Sequence, residues 1–216
     1  MMNGHRRVRK IASIPGRILQ KLARFLPFFR FIAETRETQT PITWDMWFEQ
    51  HVRGVNYGPY WPVHRSSQVV GWRNILAGVE TSPGYMPGCY IQAIGKITIG
   101  DYTQIGPGVG LISSNHDPTD LRAHASQDIV IGAYSWIGMH AVVLPGVTLG
   151  DFTIVGAGAI VTKSFPQGYC VLAGNPARVV KTLDPANCPR HVSAFEYHGY
   201  VRKDRFDAFR RQNLTV

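Results

Sequence analysis

Residues 131–161 read IGAYSWIGMHAVVLPGVTLGDFTIVGAGAIV, with an aliphatic residue at the first position and at every sixth position after it. The same spacing occurs earlier in the chain, where Ile99, Ile105 and Leu111 also stand six residues apart. Glycine follows directly after most of these aliphatic residues. An amphipathic helix repeats every 3.6 residues and a half-buried strand every two, so a period of six indicates neither. The sequence predicts a solenoid of short parallel strands in which the chain turns after every strand.

The repeat is interrupted between Leu111 and Ile131, which are 20 positions apart rather than a multiple of six. We therefore expect residues 112–128 to loop out of the prism that the strands form. Upstream, aliphatic residues in the same phase indicate that the first coils begin near residue 63. These in-phase residues are Val63, Val69 and Ile75.

The 216-residue chain has a formal net charge of +9, and the excess lies almost entirely at its N-terminus. Residues 1–33 contain eight Lys or Arg and no Asp or Glu, whereas residues 34–189 contain nine basic and eleven acidic residues. Residues 34–189 are thus close to neutral, which argues against a nucleic-acid-binding face. Only 17% of the residues are charged and no heptad pattern is present, which argues against disorder and against a coiled coil.

The N-terminal arm, residues 1–40, is predicted to contain a basic amphipathic helix between Pro15 and Pro27. Its apolar side holds Ile18, Leu22 and Phe25, and its basic side holds Arg17, Lys21 and Arg24. No apolar run is long enough for a secretory signal or a membrane span. Two interpretations stay open: residues 1–33 contact an anionic membrane surface peripherally, or the helix packs on this protein or a neighbouring subunit.

The three cysteines, Cys89, Cys170 and Cys188, show no CxxC spacing. An odd number without such pairs argues against a disulfide framework and against a zinc cluster. It favours the reducing environment of the cytoplasm, so the arm would meet the inner face of the membrane.

The repeats from IGDYTQ to VGAGAI, the NHD sequence in the interruption and the closing AGNPARVVK resemble one protein family. Over about residues 60–181 the chain is similar to the hexapeptide-repeat acyltransferases, above all to the polysaccharide, lipopolysaccharide and galactoside O-acetyltransferases. The resemblance implies an all-β, left-handed parallel β-helix with helical segments at both ends. It also implies a homotrimer that binds acetyl-CoA between neighbouring prisms and acts on a sugar or glycan acceptor.

Three regions follow from the sequence: the arm (1–40), the β-helix domain (41–181) with its looped-out segment, and a C-terminal extension (182–216). The extension is predicted to end in a helix over residues 202–212 that packs on the domain or at a trimer edge. Aromatic residues ahead of the repeats suit either a cap on the β-helix or a sugar-binding surface, and we favour the cap. They are Trp44, Trp47, Phe48, Tyr57, Tyr60, Trp61 and Trp72.

His116 in the looped-out segment is the candidate catalytic residue. Acetyl transfer to a hydroxyl needs a base that removes the hydroxyl proton, and an imidazole, with an ordinary pKa near 6.5, is suited to this step. The NHD match supports this assignment over a simple hydrogen-bonded turn. Asn115 and Asp117 are candidate orienting residues, although a backbone carbonyl could fix the imidazole tautomer equally well.

Coenzyme A carries a pantetheine arm and several phosphates, so its site needs open backbone edges and a few cations. By the resemblance, an aromatic residue covers the thiol end and the neighbouring main chain lines the thioester. The resulting cofactor-binding residues are Trp136, Gly138, Met139, Ala157, Thr162, Lys163, Arg178 and Lys181. A trimer contact for Trp136 and a solvated charge for Lys163 are the structural alternatives. His140 stands where the most similar family members have Asn.

By the resemblance, acceptor-binding polar residues lie just before the strongest coils, and Tyr85 and Gln92 are the candidates there. A different class of protein is also consistent with the repeat, because γ-class carbonic anhydrases share this β-helix. His116, His124 and His140 would then be ligands of one zinc ion. Their spacings do not match that family, so we expect no metal.

The sequence therefore predicts an acetyl-CoA-dependent O-acetyltransferase of polysaccharide biosynthesis that acts on a hydroxyl of a glycan, sugar or glycolipid precursor. Both substrates bind together, and transfer is direct. Two alternatives are kept: N-acetylation of an amino-sugar nucleotide, and a scaffold or carbonic-anhydrase-like β-helix without acyl transfer.

Overall fold

The computed structural model describes residues 29–216. The helix predicted between Pro15 and Pro27 lies outside the described residues, together with most of the arm. Within residues 29–216, no helix has the length and apolar character needed to cross a bilayer.

Short strands stacked in parallel form the three faces of a prism, which confirms the predicted left-handed parallel β-helix. Face A contains β1 (Gln68–Val70), β3 (Tyr90–Gln92), β6 (Gly110–Ile112), β11 (Val142–Val143) and β14 (Ile160–Val161). Face B contains β2 (Ile75–Ala77), β4 (Ile97–Ile99), β9 (Ile129–Ile131) and β12 (Thr148–Leu149). Face C contains β5 (Gln104–Ile105), β10 (Trp136–Ile137), β13 (Thr153–Val155), β15 (Cys170–Ala173) and the antiparallel β16 (Arg178–Thr182).

The core of the prism is the aliphatic repeat itself. All nine aliphatic residues that step by six from Ile99 to Val161 point inward, and none is more than 6% exposed. The parallel register stacks these residues coil upon coil, so that Ile99 lies over Ile131 and Ile137 over Val155. Burial of each such side chain stabilises the fold by ~1.5–3 kcal/mol.

Buried hydroxyl groups close the corner between faces B and C. Thr103 Oγ1 donates to the carbonyl of Gly132 at 2.8 Å and accepts from the amide of Ser135 at 3.2 Å. Ser135 Oγ in turn accepts from the amide of Thr153 at 3.1 Å. Four positions after an aliphatic residue of the repeat, this corner has a hydroxyl residue: Thr103 follows Ile99, Ser135 follows Ile131 and Thr153 follows Leu149. Their hydroxyl groups bond to backbone groups of successive coils.

An aromatic stack runs along the outside of the same corner. Neighbouring rings are 5.0 to 5.2 Å apart between centroids, and every member has a positive φ. The members are Tyr102, Tyr134, Phe152 and Tyr169. Arg190 lies 5.2 Å from the ring centroids of both Tyr134 and Phe152 and pairs with Asp151 at 2.5 Å. The stack thus fastens the C-terminal extension to the prism.

Helical segments cover the N-terminal end of the prism. Apart from two short strands in the segment that interrupts the repeat, the elements outside the three faces are α1 (Arg30–Glu34), α2 (Trp44–His51), β17 (Tyr197–His198), β18 (Val201–Arg202), α3 (Lys203–Asn213) and 3-10 turns at Trp72–Asn74 and Pro185–Asn187. Tyr60 and Trp61 are 5% and 0% exposed and join the core of the first coils. Phe206 of α3 packs on Tyr60 with ring centroids 5.4 Å apart. Part of the aromatic cluster therefore forms the predicted cap.

The predicted element bounds are close to those in the structure. The C-terminal helix expected over 202–212 corresponds to α3 (Lys203–Asn213), and the strands of the three faces are interrupted between β6 and β9. The first strand begins at Gln68 rather than near residue 63. Val63 is nevertheless buried, and it belongs to the same core cluster as Tyr60, Trp61 and Ile75.

Candidate active site

The segment that interrupts the repeat is a β-hairpin at the corner between faces A and B. Its strands are β7 (Ser114–His116) and β8 (His124–Ser126). The buried hydroxyl of Ser113 anchors the hairpin, because it accepts from the amide of Gly95 at 3.0 Å and donates to the carbonyl of Gln92 at 2.8 Å. The Gln92 Oε1 atom also accepts from the amide of Ser114 at 3.2 Å. These hydrogen bonds hold the hairpin against the coil that contains β3.

The imidazole of His116 is exposed at the end of β7. Its Nδ1 atom lies 2.6 Å from the carbonyl oxygen of Leu121, across the turn of the hairpin. A carbonyl oxygen can only accept, so Nδ1 carries the proton in this bond. In the neutral ring, Nε2 then presents a lone pair to solvent, as a general base requires.

Asp117 shapes the turn rather than the imidazole. Its Oδ1 atom accepts from the amide of Thr119 at 2.7 Å, from the Thr119 hydroxyl at 2.5 Å and from the amide of Asp120 at 3.3 Å. These hydrogen bonds, the Thr119 hydroxyl first among them, lower the pKa of the Asp117 carboxyl. In the described part of the chain, neither Asn115 nor Asp117 bonds to the imidazole, so the backbone carbonyl is its partner.

The ring of His124 lies beside His116, with centroids 4.3 Å apart, because the two residues pair across the hairpin. His140 lies at a different corner, between faces C and A. Across residues 29–216, no group of three or more His, Cys, Asp or Glu side chains could hold a metal ion. His140 has a φ of 58°, a left-handed conformation in which His, like Asn, is enriched.

Trp136 projects outward from face C and is 55% exposed. Its neighbours in the sheet register are Gln104 on one side and Ile154 on the other, and both also face outward. The indole therefore stands on a partly apolar strip of the surface, where it can cover a flat or chain-like ligand.

The chain turns from face C to face A directly after Trp136. A Cβ atom at Gly138 would lie 2.6 Å from the carbonyl of Val155, so only glycine allows the coils to approach this closely. Met139 follows and is 49% exposed. Ala157, one coil further along, is also exposed. This corner has small or flexible groups beside open backbone, which suits the pantetheine chain proposed from the resemblance.

The four remaining cofactor candidates are exposed polar or cationic residues near the C-terminal end of the prism. Arg178 and Lys181 lie on β16, at the edge of face C, and Lys181 pairs in register with Val171. Thr162 and Lys163 lie instead at the corner between faces A and B, where Lys163 Nζ is 5.6 Å from the ring centroid of Phe165.

The candidate site residues therefore fall on two sides of one prism. His116 lies at the corner between faces A and B. Lys163 lies at the same corner, two strands further along face A. Trp136, Met139 and Lys181 belong to face C or to its corner with face A. The strands of face A separate the two groups. Within residues 29–216, His116 and Trp136 therefore share neither a face nor a corner of the prism.

The two candidate residues for binding the acetyl acceptor, Tyr85 and Gln92, form hydrogen bonds within the protein. The Tyr85 hydroxyl donates to the carbonyl of Pro41 at 2.9 Å, and burial raises the pKa of this tyrosine. Gln92 lies at the base of the hairpin, where its Oε1 atom contacts Ser114, two residues before His116 on β7. No sequence pattern points to Leu121, because its part in the site is a backbone carbonyl.

The family model for bacterial transferase hexapeptide repeats, a run of six repeats, matches residues 128–163. Two similar proteins are Nodulation protein L of Rhizobium meliloti (strain 1021), 46% identical over 95 residues, and the galactoside O-acetyltransferase of Escherichia coli (strain K12), 44% identical over 92 residues. The aligned parts are 42% and 41% of this chain and 51% and 45% of those proteins. The chain thus spans about half the length of the curated relatives it matches.

Solved structures of the same kind are similar as well. A galactoside acetyltransferase in complex with coenzyme A is 30% identical, with a TM-score of 0.49, over 62% of this chain and 70% of that one. A hexapeptide-repeat acetyltransferase of Vibrio cholerae, complexed with acetyl coenzyme A, is 23% identical, with a TM-score of 0.48, over 80% of this chain and 91% of that one.

Proposed function

We propose that this chain, whose residues 128–163 match the bacterial transferase hexapeptide repeat, transfers an acetyl group from acetyl-CoA to a hydroxyl of a sugar or glycan. One observation carries this proposal: His116 projects from the prism with Nδ1 engaged by the carbonyl of Leu121, which leaves Nε2 available for a proton. The matches to O-acetyltransferases support the choice of a hydroxyl acceptor.

His116 acts as the general base of the reaction. Its Nε2 atom takes the proton of the acceptor hydroxyl as the hydroxyl oxygen forms its bond to the acetyl carbonyl carbon. When the carbon–sulfur bond of the thioester breaks, the imidazolium returns this proton to the departing sulfur. Acetyl-CoA supplies the acetyl group as a thioester. A positioned base of this kind accelerates the reaction by ~10²–10⁴-fold.

The residues of face C hold the cofactor. Trp136 covers its thiol end, the open backbone at Gly138 and Met139 lies along the pantetheine chain, and Arg178 and Lys181 on β16 attract its phosphates. The exposed indole and the exposed strand of cations are consistent with these roles, since both are available to a ligand.

The protein acts as a homotrimer, with each site formed between two protomers. The division of the candidate residues between two sides of the prism supports this arrangement. In it, the hairpin of one protomer lies against face C of its neighbour, and His116 faces the neighbour's Trp136 position. Holding both substrates in one such cleft allows direct transfer without a covalent enzyme intermediate.

The acceptor is a glycan or glycolipid precursor, and the protein works at the cytoplasmic face of the membrane. The eight basic residues of positions 1–33, with no acidic residue among them, support a peripheral contact with anionic lipid.

The test is a thiol-release assay of acetyl-CoA turnover with sugars, nucleotide sugars, lipid-linked glycans and amino-sugar nucleotides. We expect turnover with a hydroxyl acceptor and none with acetyl-CoA alone. Exclusive acetylation of an amine would overturn the hydroxyl assignment, and absence of CoA binding by calorimetry would overturn the acetyltransferase itself.

The proposal that each site forms between two protomers has a separate test. His116→Ala and Trp136→Ala homotrimers should each be impaired, whereas mixed trimers should regain part of the activity, because some of their sites combine two intact halves. If mixed trimers assemble and gain nothing, each site lies within one protomer.

A further inference from the structure

A cavity lies outside the candidate active site, where α1 and α2 meet the C-terminal extension. It has a volume of about 660 Å³. Sites for small organic molecules commonly have volumes of ~300–1,000 Å³. Its lining residues are Arg30, Phe31, Trp47, His51, Tyr197, Tyr200, Val201, Arg202 and Arg205.

The walls of this cavity are aromatic. Phe31 and Tyr200 meet edge to face with ring centroids 5.3 Å apart, and Trp47 stacks on His51 at 5.4 Å. Both tyrosine hydroxyls in the lining are engaged elsewhere: that of Tyr197 donates to Glu34, and that of Tyr200 donates to Gln50 at 2.9 Å. The tyrosines therefore present ring carbon rather than hydroxyl groups to an occupant.

Three arginines surround the aromatic walls. Arg202 is 4.0 Å from Glu34 and 3.6 Å from Asp204, so its charge is partly balanced. Arg30 and Arg205 form no ion pair with an acidic residue in the described part of the chain. The cavity thus combines apolar walls with at least two uncompensated cations, and it suits an occupant that is apolar at one end and anionic at the other.

The position of the cavity in the chain points to the source of such an occupant. Arg30 lies directly after residues 1–28, which contain seven Lys or Arg and no acidic residue. A basic segment of this kind is attracted to the surface of an anionic bilayer. Tryptophan and tyrosine are enriched at the same depth, where headgroups meet acyl chains.

We propose that this cavity binds one anionic membrane phospholipid, with its phosphate between Arg30, Arg202 and Arg205 and the upper part of its acyl chain against Phe31, Trp47 and Tyr200. This site is separate from acetyl transfer and would hold the protein at the membrane surface whether or not the transferase proposal is correct.

The experiment is calorimetric titration of the full chain with water-soluble dihexanoyl phosphatidylglycerol, below its micelle concentration. Dihexanoyl phosphatidylcholine and inorganic phosphate serve as the zwitterionic and chain-free probes. We expect one phosphatidylglycerol per protomer, bound at least about tenfold more tightly than either other probe. Equal affinity for phosphatidylcholine would remove the role of the arginines, and equal affinity for phosphate would remove that of the aromatic walls.

The variant Arg30→Gln with Arg205→Gln should weaken phosphatidylglycerol binding by at least about tenfold. The matched control, Arg65→Gln with Arg211→Gln, removes the same charge from exposed positions outside the cavity and should leave the affinity unchanged. Equal loss in both double variants would mean that only the overall charge attracts the lipid. A circular dichroism spectrum and a melting curve for each variant show that the fold is intact.

Discussion

The Nδ1 atom of His116 donates a hydrogen bond to the carbonyl oxygen of Leu121 at 2.6 Å. The two residues are five positions apart, and the turn of the hairpin brings them together. Because the acceptor is a backbone carbonyl, it cannot take up a proton at neutral pH or exchange its role with the imidazole. The contact therefore fixes one tautomer of the ring without adding a charge to the site.

Replacement of His116 by alanine should reduce the turnover of acetyl-CoA by ~10²–10⁴-fold, since it removes the group that takes the hydroxyl proton. The measurement is kcat in the thiol-release assay, with the oligomeric state checked by light scattering. His64→Ala is the control, because His64 bonds to Ser66 in the loop before β1 and should not affect turnover. Full activity of the His116 variant would remove the proposed mechanism.

Asp117 is expected to position His116 through the turn. Asp117→Ala removes the acceptor that holds Thr119 and Asp120, so the carbonyl of Leu121 should no longer be fixed against the imidazole. We expect kcat to fall by ~10–100-fold, with little change in the KM for acetyl-CoA. Asp117→Asn keeps an oxygen acceptor and should retain most of the activity. Equal losses in both variants would favour a role for the charge instead.

Trp136 should contribute to the binding of acetyl-CoA rather than to folding, because its side chain is 55% exposed. Trp136→Ala is predicted to weaken CoA binding by ~5–10-fold, and Trp136→Phe by less, since an aromatic face is worth ~1 kcal/mol. Tyr57→Ala, at a residue that is 74% exposed in the loop between α2 and β1, is the control. Calorimetry with CoA measures the difference, and unchanged affinity would assign Trp136 to a protein contact.

Much of the fold was readable from the sequence because one physical requirement repeats every six residues. An inward aliphatic residue and a tight corner recur in every strand, and each instance strengthens the same interpretation. The sequence alone could not predict that hydroxyl residues such as Thr103 and Ser135 lie at one particular corner. Their placement depends on which backbone groups of successive coils lack a partner, and the six-residue period alone does not show which of the three corners a residue occupies.

The candidate site was readable only in part. His116 and Trp136 could be chosen as residue types in known motifs, but their separation by face A depends on the order of the three faces. The partner of His116 was not readable, because any residue can supply a carbonyl. The cavity beside Arg30 and Arg205 was also hidden, because it joins segments about 170 positions apart.

The buried hydroxyl residues at the corner between faces B and C give a prediction about stability. Thr103→Val keeps the shape of the side chain but leaves the amide of Ser135 and the carbonyl of Gly132 without this partner. We expect the free energy of unfolding to fall by ~1–3 kcal/mol, the usual cost of a buried unpaired polar group. Thr98→Val, on the outer side of face B, should change it by no more than ~0.5 kcal/mol. Urea titrations of both variants provide the comparison, and equal effects would contradict the role of the corner.

His198 gives a prediction on pH dependence. Its Nδ1 atom donates to the carbonyl of Ala77 at 2.9 Å, and its ring stacks on Phe206 at 3.7 Å. Burial lowers the pKa of His198, and this outweighs the carbonyl of Ala77 and the nearby Asp101, which act in the opposite direction. The folded protein therefore resists protonation at a pH where the unfolded chain accepts it.

Stability should accordingly decline as the pH falls below about 6.5, and the contribution of His198 should level off once the pH is below its lowered folded-state pKa. A single group gives a slope of no more than about 1.4 kcal/mol per pH unit. His198→Phe keeps an aromatic ring on Phe206 and should lose less stability than the unaltered protein between pH 7.5 and 5.5. Urea unfolding at both pH values measures this difference, with His64→Phe as the control that should keep the full decline. An identical decline in the His198 variant would show that other groups cause it.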